Sequence, residues 1–122
     1  MKQPFDWSRP VAYSEERKRQ FHLHARGRLR ALADALKLSA DSYELRSNPG
    51  GIAVSGEITL HTECVYVQVL QACVGVGWGV LVRTCKGRQD HTGGANHWLP
   101  LDALNDTATL SRYVRKVMER AP

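Results

Sequence analysis

The sequence predicts an α+β fold with an N-terminal helix, a four-stranded antiparallel meander and a C-terminal helix. These elements should form a two-layer sandwich, with both helices on one face of the sheet. Three patterns support this: a helical apolar period over residues 14–38, alternation of apolar and polar residues over residues 42–82, and a second helical period over residues 106–120. With 122 residues, 43% of them hydrophobic and 24% charged, the chain has the size and composition of one folded domain.

The first helix is predicted from an apolar stripe. Its members lie within about 80° of one another on a helical wheel that advances about 100° per residue: Phe21, Ala25, Leu29, Leu32 and Leu36. Ser14 is placed to cap this helix, and Glu15 and Glu16 stand in the first turn, where acidic side chains meet the positive end of the helix dipole. The sequence therefore predicts a helix over residues 14–38.

The residues before this helix predict an extended arm. They include Pro4 and Pro10, and they carry aromatic rings at Phe5, Trp7 and Tyr13. Because large rings gain free energy from burial, we expect them to pack onto the rest of the chain. The predicted organisation is an extended arm over residues 1–13 and a single α+β domain over residues 14–122.

The strands are predicted from alternation and turn chemistry. Tyr43 and Leu45 alternate with polar neighbours, and the turn residues Asn48-Pro49-Gly50-Gly51 then indicate a hairpin. The second strand is predicted from apolar residues of one parity, namely Ile52, Val54, Ile58 and Leu60. After a tight turn at Thr62-Glu63, the last two strands are predicted around Val65, Val67 and Val69 and around Val80, Leu81 and Val82.

The chain closes with a second amphipathic helix. After Trp98-Leu99-Pro100-Leu101 and a short turn, the helix is predicted to begin at Asp106 or Thr107 and to end near Arg120. Its apolar stripe consists of Leu110, Val114, Val117 and Met118.

Positive charge is concentrated outside the predicted sheet. Residues 1–46 hold ten Lys or Arg against six Asp or Glu, residues 47–85 hold one against two, and residues 86–122 hold six against four. On the first helix a basic row falls within about 40° opposite the apolar stripe: Arg19, Arg26, Arg30 and Lys37. Such a row can follow a phosphate backbone. A solvated helix face that keeps the protein soluble is the alternative interpretation.

A polar, glycine-rich segment over residues 85–98 follows the last predicted strand. Lys86 and Arg88 add positive charge there, and the candidate side chains for a loop site are Asp90, His91, Asn96 and His97. A metal site formed by Asp90, His91 and His97 remains an alternative, but the sequence has no Cys-x-x-Cys pair or helical His spacing suited to metal binding. The sequence therefore assigns no catalytic residue, no metal ligand and no cofactor.

Cysteine usage and hydropathy predict a cytoplasmic protein. Cys64, Cys73 and Cys85 are odd in number and lie in or beside apolar runs, which indicates reduced, buried thiols. The start of the chain lacks the apolar core of a signal peptide, and no run approaches the roughly 18 apolar residues of a membrane span. We expect no association with membranes.

Three segments carry a resemblance to known proteins. They are Pro4-Phe5-Asp6-Trp7, the run GGIAVSGEITLH over residues 50–61, and the run GRQDHTGGANH over residues 87–97. Together they resemble small uncharacterised proteins encoded on bacterial plasmids and integrative mobile elements, over most of the chain. The resemblance implies a bacterial accessory protein of mobile DNA and transfers no catalytic residue. It favours either the handling of the element's own DNA or the binding of a host protein.

Three functional hypotheses follow from these patterns. The leading one is non-enzymatic binding of DNA or RNA through Arg19, Arg26, Arg30, Lys37, Lys86 and Arg88. The second is a protein-binding module, either an inhibitor of a host factor or a homodimer, that uses an open sheet edge or an exposed sheet face with Tyr66, Gln68 and Leu70. The third is a small hydrolase or metal-dependent enzyme centred on Asp90, His91 and His97.

Overall fold

The computed structural model describes residues 5–71, 79–87 and 94–119. Within these ranges it contains two α-helices, five strands and one short 3-10 helix. In chain order they are α1 (Glu15–Ala35), β1 (Tyr43–Asn48), β2 (Glu57–Thr62), β3 (Val65–Leu70), β4 (Val80–Thr84), β5 (His97–Leu99), the 3-10 helix (Leu101–Asn105) and α2 (Thr107–Glu119).

The strands form one antiparallel sheet in the order β1-β2-β3-β4-β5, so each strand pairs with its neighbour in sequence. The predicted α+β class and antiparallel meander are confirmed, but the number of strands is wrong because the sheet has five strands and not four. The additional strand, β5, pairs with β4 through Val80–Leu99 and Val82–His97. Its three residues are too few to show alternation in the sequence.

The core lies on one face of this sheet. Because side chains alternate across a strand, the register brings Ile58, Val69 and Val80 into one row and Leu60, Val67 and Val82 into the next, and all six are 0% exposed. Both helices pack against this face in a single apolar cluster. The prediction of both helices on one sheet face is therefore correct.

Helix α1 begins where the sequence predicts and ends earlier. The Ser14 side chain accepts a hydrogen bond from the Arg17 amide at 3.3 Å, which caps the first turn. The predicted stripe is buried from Phe21 to Leu32, whereas Leu36 is only partly buried. The helix ends at Ala35, and the predicted end at residue 38 is three residues too late.

A Schellman motif terminates α1. The Leu38 amide donates to the Ala33 carbonyl at 3.0 Å, and the Lys37 amide donates to the Asp34 carbonyl at 3.0 Å. Lys37 adopts the left-handed conformation that this motif requires, with φ of 60°. Glycine usually occupies that position, so the lysine hid the helix end in the sequence.

The connection between β1 and β2 is longer than the hairpin that the sequence predicts. Asn48 pairs with Glu57, so residues 49–56 form the connection. Ile52 and Val54, which were expected in a strand, lie in this connection and are 60% and 43% exposed. Two glycines with positive φ shape the backbone here, Gly50 at 63° and Gly56 at 73°.

We expect Gly56→Ala to lower the free energy of unfolding by about 1–3 kcal/mol, because alanine rarely adopts this positive φ. The added Cβ would also lie 2.6 Å from the Pro49 carbonyl oxygen and overlap the Asn48 carbonyl. Urea denaturation measures the change. Gly27→Ala is the matched control, since Gly27 lies in α1 with nothing within 4 Å, and it should raise the stability by about 0.5–1 kcal/mol. A loss of stability in both variants would contradict this explanation.

The described part of the N-terminal arm packs onto the domain mainly through Trp7. This ring is 4% exposed, and its Nε1 donates to the Asn105 side chain at 2.8 Å. Gln71 holds the same segment, because its side-chain amide donates to the Arg9 carbonyl at 2.8 Å and its oxygen accepts from the Val11 amide at 3.0 Å. Tyr13 does not pack as expected, since it is 72% exposed.

Helix α2 begins at Thr107, as predicted, and is described to Glu119. Asp106 caps it, because its carboxylate accepts the Thr109 amide at 3.1 Å. Leu110, Val114 and Val117 are buried against the sheet. Neither helix in the described ranges has the combination of length and apolarity that crossing a membrane requires.

Candidate functional site

Three of the predicted basic residues form a row along one flank of α1. Arg19, Arg26 and Arg30 are spaced by seven and four residues, which places them on one side of the helix. The Arg26 guanidinium donates to the Leu45 carbonyl at 3.3 Å and to the Ser47 hydroxyl at 3.4 Å. Both acceptors belong to β1, an edge strand of the sheet. We call Arg19, Arg26 and Arg30 the basic flank, since Arg26 contacts this edge and the other two lie on the same side of α1.

Lys37 does not continue the row on the helix. It lies two residues beyond the end of α1, where its left-handed backbone turns the chain away from the helix axis. Its side chain is exposed, so its charge remains on the surface near that end of α1. The prediction of four basic residues on one helical face is therefore wrong at Lys37, because the helix is shorter than predicted.

Arg19 already has an acidic partner within the protein. Its guanidinium contacts the Glu16 carboxylate with an Nη2–Oε1 distance of 2.8 Å and an Nε–Oε2 distance of 3.2 Å. The hydrogen bond from Arg19, with a second one from Gln20, lowers the pKa of Glu16 to about 2, so this carboxylate stays ionised at neutral pH. The two side chains are 61% and 69% exposed, and exposed pairs of this kind contribute little to stability. A phosphate can therefore compete for Arg19 at low cost.

A pocket of about 360 Å³ adjoins the basic flank. It lies between the first turns of α1 and the β1–β2 connection, and its lining consists of Ser14, Glu15, Lys18, Arg19, His22, Pro49, Gly50 and Ile52. Arg19 belongs to both features. The pocket therefore extends the basic flank towards the N-terminal end of α1.

Two polar side chains of this lining are buried, and neither was predicted as a site residue from the sequence. Lys18 is 8% exposed, and its Nζ donates to the carbonyls of Pro49 at 3.0 Å and Gly51 at 2.7 Å. His22 is 9% exposed, and its Nε2 lies 2.8 Å from the Ser55 carbonyl. The helical spacing contained the signal, since both residues fall on or beside the apolar stripe.

The net positive charge of the protein lies on its helices. Helix α1 carries six Lys or Arg against three Asp or Glu, and α2 carries three against one. The five strands carry two basic and two acidic residues, so they are neutral in sum. The helical layer therefore presents positive potential, whereas the opposite face of the sheet does not.

Part of the predicted loop site lies outside the described residues. Lys86 and Asn96 are exposed, while Arg88, Asp90 and His91 lie outside the described ranges. His97 belongs to β5, and its half-buried ring lies 6.5 Å from the Tyr113 ring of α2. It thus faces the helical layer. Within residues 5–71, 79–87 and 94–119, no three His, Cys, Asp or Glu side chains gather in a group that could hold a metal ion.

The thiols differ from the buried cysteines that the sequence predicts. Cys64 is exposed and Cys85 is half-buried. The two residues lie next to each other, because the Cys85 amide donates a hydrogen bond to the Cys64 carbonyl at 3.0 Å. Cys73 lies outside the described ranges.

The sheet face away from the helices carries a packed polar cluster. Tyr66 is 8% exposed, with the Arg83 guanidinium carbon 4.5 Å from its ring centroid and the His61 ring at 5.1 Å. Burial raises the pKa of the Tyr66 phenol above its ordinary value, the Glu57 carboxylate acts in the same direction, and Arg83 opposes them. The phenol therefore stays protonated at neutral pH and does not supply a base.

This cluster changes the hypothesis of a binding surface on the sheet face. Gln68 and Leu70 are half-buried, and the Gln68 amide donates to the Glu57 carboxylate. Tyr66 is buried, whereas Gln68 and Leu70 keep part of their surface exposed. The prediction of an exposed sheet face is therefore wrong at Tyr66, because its cross-strand neighbours cover the ring.

Comparison with known proteins gives no relative. No protein-family model matches the chain, and neither the curated proteins nor the solved structures contain a significant match. The features that indicate a function are therefore the basic flank and the adjoining pocket, as the fold positions them.

Proposed function

We propose that the protein binds nucleic acid along the basic flank. The observation that carries this proposal is the placement of Arg19, Arg26 and Arg30 on one side of α1 beside the edge strand β1. The first and last members of the row lie eleven residues apart, or about 16 Å along a helix that rises about 1.5 Å per residue. The neutral sum of charge on the strands supports the same surface.

The chemistry suits a phosphate backbone more than a particular base sequence. A guanidinium offers paired donors that match two phosphate oxygens, and each contact releases a counterion from the nucleic acid. Arg30 is exposed, Arg19 is held only by a surface carboxylate, and Arg26 is half-buried against β1. We therefore expect binding that depends strongly on salt and weakly on sequence.

A salt series of fluorescence anisotropy with labelled oligonucleotides tests this proposal. With three phosphate contacts, the logarithm of the association constant should fall against the logarithm of salt with a slope of about −2 to −3. If neither DNA nor RNA binds at the lowest salt concentration, where electrostatic affinity is greatest, the proposal is wrong.

Removing the acidic partner of Arg19 should strengthen binding. We expect Glu16→Gln to raise the affinity for an oligonucleotide about two- to fivefold, because Arg19 no longer has to leave a carboxylate to reach a phosphate. Anisotropy at fixed low salt measures this change.

Asp34→Asn is the matched control for that variant, since it removes one negative charge from the same helix at an exposed position. It should change the affinity less than Glu16→Gln does. Equal gains in the two variants would mean that only the net charge matters and would count against a role for the Arg19–Glu16 pair.

A further inference from the structure

Tyr13 combines three properties that are unusual for an aromatic residue. It is 72% exposed, its φ is 63°, and it lies directly before the cap residue of α1. Residues with bulky side chains rarely adopt the left-handed conformation, because it costs free energy. At Tyr13 the burial of the ring does not offset this cost, since the ring is exposed. Such strain at an exposed side chain points to a use for the ring outside the fold.

The backbone on both sides holds Tyr13 in this conformation. Val11 is 2% exposed, and its carbonyl accepts the Ser14 amide at 3.2 Å. The Tyr13 amide itself donates to the Ile52 carbonyl at 2.7 Å. The backbone that carries the ring is thus fixed in place. It lies next to Ile52, which is 60% exposed and lines the pocket.

The pocket beside Tyr13 is both basic and partly apolar. Lys18 and Arg19 supply two positive charges, Glu15 one negative charge, and Pro49 and Ile52 apolar surface. Lys18 is 8% exposed and gives two of its three ammonium protons to backbone carbonyls. No carboxylate in the described ranges lies within 4.0 Å of it, so this buried charge has only neutral acceptors.

We propose that Tyr13 and this pocket bind a single-stranded segment, with an unpaired base stacked on the Tyr13 ring and a neighbouring phosphate at Lys18 and Arg19. This inference rests on the proposed function and names its substrate class as single-stranded DNA or RNA. The strand then continues from the pocket along Arg26 and Arg30.

A single strand fits these features better than a duplex does. In a duplex each base is stacked between its neighbours, so its face is not accessible to an aromatic side chain. An unpaired base offers that face, and proteins that bind single strands combine aromatic platforms with basic grooves. Both parts lie side by side here, because Tyr13 directly precedes the cap of α1, and Lys18 and Arg19 line the pocket between α1 and the β1–β2 connection.

The variant Tyr13→Asn tests the proposal without a penalty to folding. Asparagine tolerates positive φ, so the free energy of unfolding should stay equal or rise, while the stacking surface is lost. We expect the affinity for a single-stranded 12-mer to fall about 5- to 150-fold, the range that corresponds to one base stacked on an aromatic ring. Tyr13→Phe keeps the ring and should bind as the unsubstituted protein does.

The blunt duplex of the same sequence separates this inference from the proposed function. Its affinity should be lower than that of the single strand and should change less than twofold in Tyr13→Asn. If Tyr13→Asn binds the single strand unchanged, or if single strand and duplex lose affinity equally, the inference is wrong while the basic flank remains supported. If the unsubstituted protein binds neither form, the proposed function fails as well.

Discussion

Replacing Arg19 and Arg30 together by alanine should lower the affinity for nucleic acid about 100-fold at low salt, since each charge-assisted contact contributes about 1.5 kcal/mol. Both side chains are exposed, and neither donates a hydrogen bond to the sheet in the described structure, so the fold should tolerate the change. Alanine also has the highest helix propensity, which favours α1. Anisotropy titrations with one oligonucleotide measure the loss.

The control for this variant removes the same charge from the other helix. Arg112 and Lys116 are exposed on α2, and their double alanine variant has the same net charge as the first one. If binding follows the basic flank, the α2 variant should lose less than about tenfold, because it removes long-range attraction and no contact. Equal losses would contradict the assignment of binding to the basic flank.

The largest loss of stability is expected for Phe21→Ala. Phe21 is 0% exposed, and its ring meets the Trp7 ring edge to face with centroids 5.8 Å apart. Truncation removes this contact and leaves a cavity between α1 and the arm, which should lower the free energy of unfolding by about 3–5 kcal/mol. That is a large part of the roughly 5–15 kcal/mol typical of a domain.

Urea denaturation followed by circular dichroism measures this loss, with Leu23→Ala as the control. Leu23 lies on the same helix but is 58% exposed, so its truncation should change the stability by less than about 0.5 kcal/mol. Similar small changes in both variants would mean that Phe21 is not part of the core.

The helices were predictable because their signals are long and periodic. The α1 stripe from Phe21 to Leu32 repeats over three turns, and the Ser14 cap marks the first turn. The C-terminal boundary was not predictable, since it depends on Lys37 adopting a conformation that favours glycine. Local patterns therefore predicted the helix, but its end could not be predicted because Lys37 stands where glycine is usual.

The sheet was predictable where alternation extends over six residues, as in β3. It was not predictable where packing overrides the pattern. Ile52 and Val54 have the parity of Ile58, yet Gly50 and Gly56 bend the chain away from the ladder. Strand β5 is stabilised by its pairing with β4. A run of three residues is too short to predict such pairing from the sequence.

The candidate site was predictable only in part. Arg19, Arg26 and Arg30 followed from helical spacing, because that spacing depends on sequence alone. The pocket and the exposure of Tyr13 could not be predicted from helical spacing, since they arise where residues 49–52 approach the start of α1. Contacts between segments distant in sequence leave no periodic signal.

NMR spectroscopy maps the bound surface and so tests whether nucleic acid binds at the basic flank and Tyr13. ¹⁵N-labelled protein is titrated with a single-stranded 12-mer at low salt, and the amide shifts are followed residue by residue. We expect the largest changes along the basic flank and at Tyr13 and Ile52, with little change at Thr59 on the opposite sheet face. Changes confined to that sheet face or to α2, with the basic flank unaffected, would contradict the proposed binding site.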